Sequence, residues 1–226
     1  MSTQDTTVGL NSGVAAWGGE QQLAADLRAG SVDAFNYLIS LYHQPIYRFV
    51  CRLLGHGDDT ADVVQETFLK AFRGAGQFEG KSSAKTWLYQ IALHEASNHR
   101  RWWRRHKGHE TSIEAEDERG GLTWAQRLPD PGASPLSQAL QGERKQRLQA
   151  ALRQVPEPYH AVLMLREIEG FSYDEIAEIV QARVGTVKSR LLRGREMLRQ
   201  AVLAAEAIAA RPASVRGLRS VGHANE

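Results

Sequence analysis

The stretch Phe171–Arg195, which reads FSYDEIAEIVQARVGTVKSRLLRGR, constrains the fold of this chain more than any other part of it. Ser172 is followed three residues later by Glu175, which predicts a capping box at a helix start. In that motif the hydroxyl and the carboxylate each accept a hydrogen bond from a free backbone N–H. Ile176 and Val180 lie on one face of the helix and predict that it packs inward. The stretch therefore predicts a short, capped, amphipathic helix.

A turn around residues 181–183 separates this helix from a second one, which we expect to begin near Gly185–Thr186. Val187 and Leu191 are four residues apart and face the core together. The side chains predicted to face outward are mostly cationic or polar: Lys188, Ser189, Leu192, Arg193 and Arg195. Two short helices at an angle, the second with cations on its free face, are typical of a DNA-reading helix-turn-helix. An ordinary corner between two helices with a solvated basic side is the alternative.

Composition is that of a soluble globular protein, with 226 residues, 42% hydrophobic and 24% charged. This length suffices for one good core or two small ones. The formal net charge is only +2, so the distribution of charge is more informative than its total. Five cations lie close together, directly before an acidic run at residues 110–118: Arg100, Arg101, Arg104, Arg105 and Lys107.

Several kinds of site are not expected. A single cysteine, Cys51, excludes an intramolecular disulfide and any zinc site built from a cysteine cluster. The spacing of the histidines lacks a motif such as HExxH, so we expect no metal and no cofactor. No nucleophile constellation, P-loop or pair of metal-binding carboxylates is present, which argues against an enzyme.

Helical periodicity and the lack of sustained strand alternation predict an all-α chain of two small helical domains joined by a flexible linker. No apolar run approaches membrane-spanning length and the polar N-terminus does not resemble a signal peptide, so we expect a cytoplasmic protein without membrane insertion. The predicted segments are a disordered N-terminus at 1–19, a helical domain at 20–107, the linker at 108–135, a second helical domain at 136–205 and a disordered tail at 206–226.

Within the first domain, Ser31 is expected to cap a long helix that Pro45 kinks or divides. Asp58 and Asp59 offer carboxylates to the start of a helix over Thr60–Arg73. The apolar members of that helix form one stripe: Val63, Val64, Phe68, Leu69 and Phe72. We assign Phe68, Phe72 and Trp87 to the core rather than to base contacts.

The two halves together resemble the group IV, extracytoplasmic-function (ECF) sigma factors of bacterial RNA polymerase. The first half carries DDTADVVQETFLKAF and FEGKSSAKTWLYQIA, and the second carries VPEPYHAVLMLREIEGFSYDEIAEI and GTVKSRLLRGREML. The resemblance covers residues 20 to 200, in the family's order. It identifies the first domain with sigma region 2 and the second with sigma region 4.

The resemblance implies partners and roles. The helix Asp62–Phe72 would dock on the β′ coiled coil of core RNA polymerase, through Asp62, Gln65, Glu66 and Leu69. The other implied partners are the β flap of the polymerase, promoter DNA and an anti-sigma factor, which can be anchored in the membrane.

Two sets of DNA contacts are implied as well. The set for the melted −10 element includes a loop that captures a flipped base and comprises Phe78, Lys81, Ser82, Ser83, Trp87, His94, Asn98, Arg101, Arg104 and Arg105. The set for the −35 duplex comprises Thr186, Lys188, Ser189, Arg190, Leu192, Arg193 and Arg195.

Two residues depart from the family pattern. His94 stands where the family often has Asn, so the preferred −10 base can differ. Gln181 stands where the turn often has Gly, and a left-handed residue other than Gly costs about 1 kcal/mol or more. We therefore expect the turn to be reshaped.

The rival interpretation is a stand-alone regulator, since GTVKSRL also suits a helix-turn-helix of LuxR type. That class joins its DNA reader to a ligand-binding or phospho-acceptor domain. The first half of this chain shows no α/β alternation to build such a domain.

Overall fold

The computed structural model describes residues 17–55, 59–106 and 147–209, and all regular structure within them is helical. The all-α prediction is confirmed for this part of the chain. The predicted linker and most of both predicted terminal segments lie outside the described residues. The first domain consists of α1 (Glu20–Arg28), α2 (Val32–Leu54), α3 (Thr60–Gly74), a 3-10 turn (Ala75–Gln77) and α4 (Ala84–His106).

Trp17 lies within the segment predicted to be disordered and contacts the first domain. Its indole N–H donates to Asp26 Oδ2 at 2.9 Å, and its ring centroid lies 4.9 Å from that of Tyr37. A large aromatic ring with a polar edge gains from such a half-buried position. The contacts of the first domain therefore begin at Trp17, before the first residue of α1.

Helix α2 begins after Ser31 and ends before Gly55, as predicted. The Ser31 hydroxyl accepts from the Ala34 N–H at 3.2 Å, which confirms the cap. Pro45 lies inside the helix and is buried, and it does not divide α2. Proline removes one backbone donor, and burial of the neighbouring Tyr42 and Ile46 holds both halves of the helix against the same core.

The predicted side-chain cap at the start of α3 is wrong for Asp59. Its backbone has φ −92° and ψ 0°, and its side chain makes no capping hydrogen bond. An N-cap side chain reaches the free N–H groups from an extended backbone, which Asp59 lacks. Its carboxylate lies instead 3.5 Å from His99 Nε2 on α4. Asp58 lies outside the described residues.

Helices α2, α3 and α4 enclose the core of the first domain. Phe68 is 8% exposed, as predicted, whereas Phe72 is 53% exposed and Leu69 39% exposed. The assignment of Phe72 to the core is therefore wrong. The apolar stripe of α3 is wider than the face that α2 and α4 cover, so its edge remains at the surface.

The second domain begins, within the described residues, with α5, which is helical over 147–154. It continues with α6 (Glu157–Leu163), a π turn (Met164–Ile168), α7 (Tyr173–Ile179) and α8 (Val184–Ala209). Helix α8 extends past residue 205, so residues 206–209 of the predicted tail are helical.

The predicted helix-turn-helix is present in α7 and α8. Ser172 and Glu175 form both hydrogen bonds of the capping box, and Val187 and Leu191 are 0% and 2% exposed. Gln181 has φ +49° and is, among the described residues, the one non-glycine with positive φ. The expectation of a reshaped turn is wrong, because Gln181 adopts the left-handed conformation that glycine would favour.

The two domains touch, so their cores meet. The Tyr89 ring of α4 lies 4.9 Å from the Phe171 ring in an edge-to-face arrangement, and both side chains are almost fully buried. Helix α4 also packs directly along α7. The contact brings the DNA-reading elements predicted for the two domains to opposite sides of one groove.

Candidate functional site

The polar face of α4 carries His94 and Asn98, one turn apart. His94 has a side chain that is 65% exposed. The Asn98 amide nitrogen lies 3.2 Å from His94 Nδ1, and Arg101 donates to Asn98 Oδ1. The predicted reading residues of α4 therefore lie in contact with one another along one face.

The last turns of α4 form a cationic and aromatic surface. Arg101, Arg104 and Arg105 are exposed, and Trp102 is 46% exposed and stacks on His106 with a centroid separation of 5.0 Å. Guanidinium groups neutralise phosphates and exposed aromatic faces accept unstacked bases. The structure brings the three predicted arginines together with Asn98 and Trp102 around one shallow hollow.

The loop before α4 is less open than predicted. Phe78 is 5% exposed and stacks on Trp87 with a centroid separation of 4.6 Å. In this conformation the Phe78 ring is part of the core, and the outer part of the loop consists of Lys81 and Ser82. Lys81 pairs with Glu79, and Ser83 Oγ accepts from the Thr86 N–H at 3.0 Å.

The outer face of α3 combines polar and apolar groups. Asp62 and Gln65 are exposed, and Glu66 lies 4.0 Å from both Lys70 and Arg73. Leu69 borders an apolar groove of about 440 Å³ between α2 and α3. The four predicted docking residues therefore lie on one accessible surface.

The α2 side of that groove was missed by sequence reasoning. It is formed by residues that repeat every fourth position: Phe35, Ile39, His43 and Tyr47. The repeat is visible in the sequence, but it reads equally well as part of a buried stripe. Only the placement of α3 shows that this edge of α2 remains accessible.

Helix α8 projects most of its predicted −35 residues into solvent. Lys188, Ser189 and Arg193 are exposed, and Leu192 is 72% exposed. Thr186 and Arg190 are half-buried. Arg195 is held away from the others, because its guanidinium donates to Glu167 Oε1 at 2.6 and 3.0 Å.

Glu169 lies at the centre of the contact between the domains. Its carboxylate accepts from the Tyr89 hydroxyl at 2.6 Å and lies 3.2 Å from Arg52 Nη1. The Lys85 ammonium lies 4.3 Å from the Phe171 ring centroid. Burial lowers the pKa of Lys85, and burial together with the Glu169 charge raises the pKa of Tyr89.

A groove of about 1150 Å³ runs beside this contact. His94 and Arg100 line it from α4, and Gln181 and Arg190 line it from the helix-turn-helix. Buried beside it, His160 is 4% exposed. Burial, assisted by the Arg100 charge, lowers the pKa of His160 to about 4.

The described residues contain neither a cluster suited to a metal ion nor a membrane-spanning helix. In the part of the chain that the structure describes, no group of three His, Cys, Asp or Glu side chains is arranged to hold a metal ion. Over those same residues, no helix is long and apolar enough to cross a membrane.

The chain matches two protein families, one in each of its two domains. Residues 38–106 match the sigma-70 region 2 family, and residues 145–198 match sigma-70 region 4. These ranges contain α4 with its cationic end and the whole helix-turn-helix.

Relatives of known identity match over most of their length. The RNA polymerase sigma-H factor of Pseudomonas aeruginosa is 36% identical over 81% of this chain and 93% of its own. The ECF RNA polymerase sigma-E factor of Haemophilus influenzae is 35% identical over 79% and 93%. That of Escherichia coli K12 is 36% identical over 79% and 92%.

Two solved structures share the fold. The sigma factor RpoE of Bartonella quintana, solved with the anti-sigma factor NepR, is 24% identical with a TM-score of 0.59, covering 76% of this chain and 98% of that one. CnrH, solved with the cytosolic domain of CnrY, is 23% identical with a TM-score of 0.56, covering 85% and 99%. With both family regions matched in order and relatives above 30% identity along most of their length, this chain belongs to the sigma-70 family as an ECF sigma factor, a non-enzymatic factor of transcription initiation.

Proposed function

We propose that this sigma factor binds core RNA polymerase and directs initiation by recognising the −35 element as duplex and the −10 element as melted single strand. The observation that carries the proposal is the presence of two different polar surfaces on one chain. Helix α8 projects separate, solvated side chains such as Arg193. Helix α4 carries a hydrogen-bonded polar face that continues into exposed Trp102 and three arginines.

The chemistry of α8 suits the major groove of duplex DNA. A helix fits that groove, and Arg, Lys and Ser side chains hydrogen-bond to base edges that remain paired. Leu192, at 72% exposed, is suited to apolar contact with a thymine methyl group. Arg195 would join the contacts only after leaving Glu167, which lies 2.6 Å away.

The chemistry of α4 suits an unpaired strand. Exposed aromatic rings stack on bases only after those bases leave the duplex, and arginines follow the backbone phosphates. Because Phe78 is buried, a flipped base would contact Lys81 and Ser82 first. A pocket that includes the Phe78 ring would require that ring to leave Trp87.

Docking on polymerase would use the surface of α3. Asp62, Gln65, Glu66 and Leu69 are accessible together beside the apolar groove. An apolar centre with a charged rim is the usual composition of a protein interface. We assign this groove to the coiled coil of the β′ subunit, and the second domain to the β flap.

Binding both promoter elements requires the two domains to separate. Elements centred 25 positions apart lie roughly 85 Å from each other, at about 3.4 Å per base pair. Here His94 and Arg190 line one groove, and Tyr89 contacts Phe171. The closed arrangement therefore represents the chain before promoter binding, and an anti-sigma factor that holds the domains together would keep it inactive.

In vitro transcription tests this proposal. Core RNA polymerase and the purified chain are incubated with linear templates whose upstream sequence is randomised, and the templates that yield run-off transcripts are sequenced. The proposal predicts two enriched elements, near −10 and −35, that require the chain. Transcription that the chain does not stimulate, or a single enriched duplex site as for a stand-alone regulator, would contradict it.

A further inference from the structure

A buried carboxylate lies directly beneath the polar face of α4. Glu95 is 7% exposed, and its Oε2 accepts from the Lys70 ammonium of α3 at 2.7 Å. A buried charge requires such a partner, since removing it from water is otherwise costly. The salt bridge fixes the position of the Glu95 carboxylate relative to α4.

The second oxygen of this carboxylate contacts His94. Glu95 Oε1 lies 3.0 Å from His94 Nδ1. An ionised carboxylate only accepts hydrogen bonds, so Nδ1 must carry the proton. The Asn98 amide nitrogen lies 3.2 Å from the same atom, but both are then donors. The charged acceptor forms the stronger bond and determines the tautomer.

The other ring nitrogen of His94 is consequently an acceptor. In neutral imidazole only one nitrogen carries a proton, so Nε2 has a free lone pair. The Asn98 amide nitrogen lies 3.5 Å from Nε2, which is long for a hydrogen bond. With a side chain 65% exposed, His94 offers this lone pair to a ligand outside the protein.

We propose that Glu95, held by Lys70, is a positioning residue that fixes the tautomer of His94 and thereby selects a −10 base that carries an amino group. Adenine, cytosine and guanine each present an exocyclic amino donor. An unpaired thymine presents only its ring N3–H, which lies between two carbonyl oxygens that repel an acceptor lone pair. Thymine is therefore disfavoured at the position that His94 contacts. This inference rests on the proposed function, because it takes His94 to lie against the −10 strand.

The tautomer is measured without DNA. The full chain is labelled with ¹⁵N-histidine, and long-range ¹H–¹⁵N correlation spectra are recorded at a pH where the imidazoles are neutral. The His94→Asn variant identifies the His94 signals, because they are absent from its spectrum. We expect a protonated Nδ1 in the wild type and loss of that preference in Glu95→Leu. The matched control Glu206→Leu, at an exposed position of α8, should leave the signals unchanged. The same tautomer in wild type and Glu95→Leu would overturn the proposal.

The base preference is measured on the holoenzyme. The ligands are fluorescein-labelled single strands that carry the −10 sequence selected by transcription, varied one position at a time. The His94→Ala variant identifies the position that His94 contacts. At that position, Glu95→Leu should reduce the preference for an amino-bearing base over thymine by about threefold to tenfold, the effect of one hydrogen bond. Glu95→Gln retains the shape of the side chain and a neutral acceptor, and should reduce it by about twofold.

A double-mutant cycle separates positioning from general stability. Asn in place of His94 has no tautomer, so Glu95→Leu should not change base preference in the His94→Asn background. An equal loss in both backgrounds, or equally weakened binding to every strand, would overturn the positioning role. If wild-type holoenzyme binds no single strand selectively, the proposed function itself fails, and the tautomer measurement still decides the role of Glu95.

Discussion

The two candidate DNA-reading helices hold their side chains in different ways. On α4, Arg101 donates a hydrogen bond to Asn98, and His94 is hydrogen-bonded to Glu95, which is paired with Lys70 of a neighbouring helix. On α8, Arg193 is exposed and has no partner among the described residues, and Leu192 is 72% exposed. On α4 the side chains are held in place before a ligand arrives, whereas on α8 Leu192 and Arg193 are separate, solvated side chains.

The difference matches the two forms of DNA assigned to these helices. Duplex DNA is stiff and presents its base edges at fixed positions, so free side chains can adjust to them. An unpaired strand is flexible and must itself be ordered on binding. A receptor that is already ordered reduces the total entropic cost of that step. The comparison therefore accounts for held side chains at His94 and Asn98 of α4 and for free ones at Leu192 and Arg193 of α8.

The largest expected effect tests whether polymerase docking belongs to the first domain. The double substitution Asp62→Arg and Glu66→Arg should weaken core binding by about a hundredfold or more, because reversed charges oppose the partner's surface. Helicity should persist, since neither side chain lies in the core. Binding is measured by fluorescence anisotropy and helicity by circular dichroism. The matched control reverses Asp33 and Glu206, which are exposed and lie outside the groove, and should leave core binding unchanged. Retained core binding by the Asp62→Arg and Glu66→Arg variant would refute the assignment.

The next largest effect concerns the end of α4. Replacing Arg101, Arg104 and Arg105 by Ala should weaken binding of single-stranded DNA of every sequence. Each phosphate contact on a single strand contributes about 0.7 to the slope of log K against log salt, so the slope should become shallower by about 2 units. Titrations at four salt concentrations measure it. An unchanged slope would show that these arginines contact no phosphate.

Acid should destabilise the folded second domain through His160. The pKa of His160 is about 4 in the folded second domain, below the value of about 6.5 in an unfolded chain. Between these values the unfolded state binds more protons, so stability falls as the pH is lowered through this window. The loss attributable to His160 is about 2 kcal/mol between about pH 7 and pH 5.

Urea unfolding at both pH values measures this loss. His160→Leu keeps an apolar side chain at a buried position and should reduce the difference between the two pH values by that amount. An equal difference in wild type and variant would show that His160 is not the group responsible.

The smallest expected effect lies in the turn of the helix-turn-helix. Gln181 has φ +49°, which costs a non-glycine residue about 1 kcal/mol. Gln181→Gly should therefore stabilise the second domain by up to about 1 kcal/mol, part of which is offset by the greater freedom of glycine in the unfolded chain. Thermal unfolding measures the change. Gln181→Ala is the control, since alanine does not relieve the left-handed conformation; equal stability of both variants would argue against strain at this residue.

Features that depend on residues within one helix could be predicted from the sequence. The capping box at Ser172 and Glu175, the Ser31 cap and the inward pair Val187 and Leu191 all depend on residues within one turn or two. Each prediction rested on hydrogen bonds or helical periodicity, and each is confirmed.

Features that depend on contacts between distant parts of the chain could not be predicted in this way. Whether Phe72 is buried depends on how far α2 covers α3. Glu169 and Tyr89 are 80 positions apart, and nothing local marks them as partners. Glu95 reads as one polar residue in a helix, and only its 2.7 Å contact with Lys70 shows that it is a buried ion pair.

The most direct test of the division between the two helices compares two single substitutions on two DNA ligands. Holoenzymes containing His94→Ala or Arg193→Ala are titrated with a −10 single strand and with a −35 duplex, each against scrambled DNA at one salt concentration. Arg193→Ala should reduce preference for the duplex by about tenfold, the value of one bidentate base contact, and leave the single strand unaffected. His94→Ala should reduce preference for the single strand alone. Equal losses on both ligands, or effects exchanged between the two substitutions, would contradict the account.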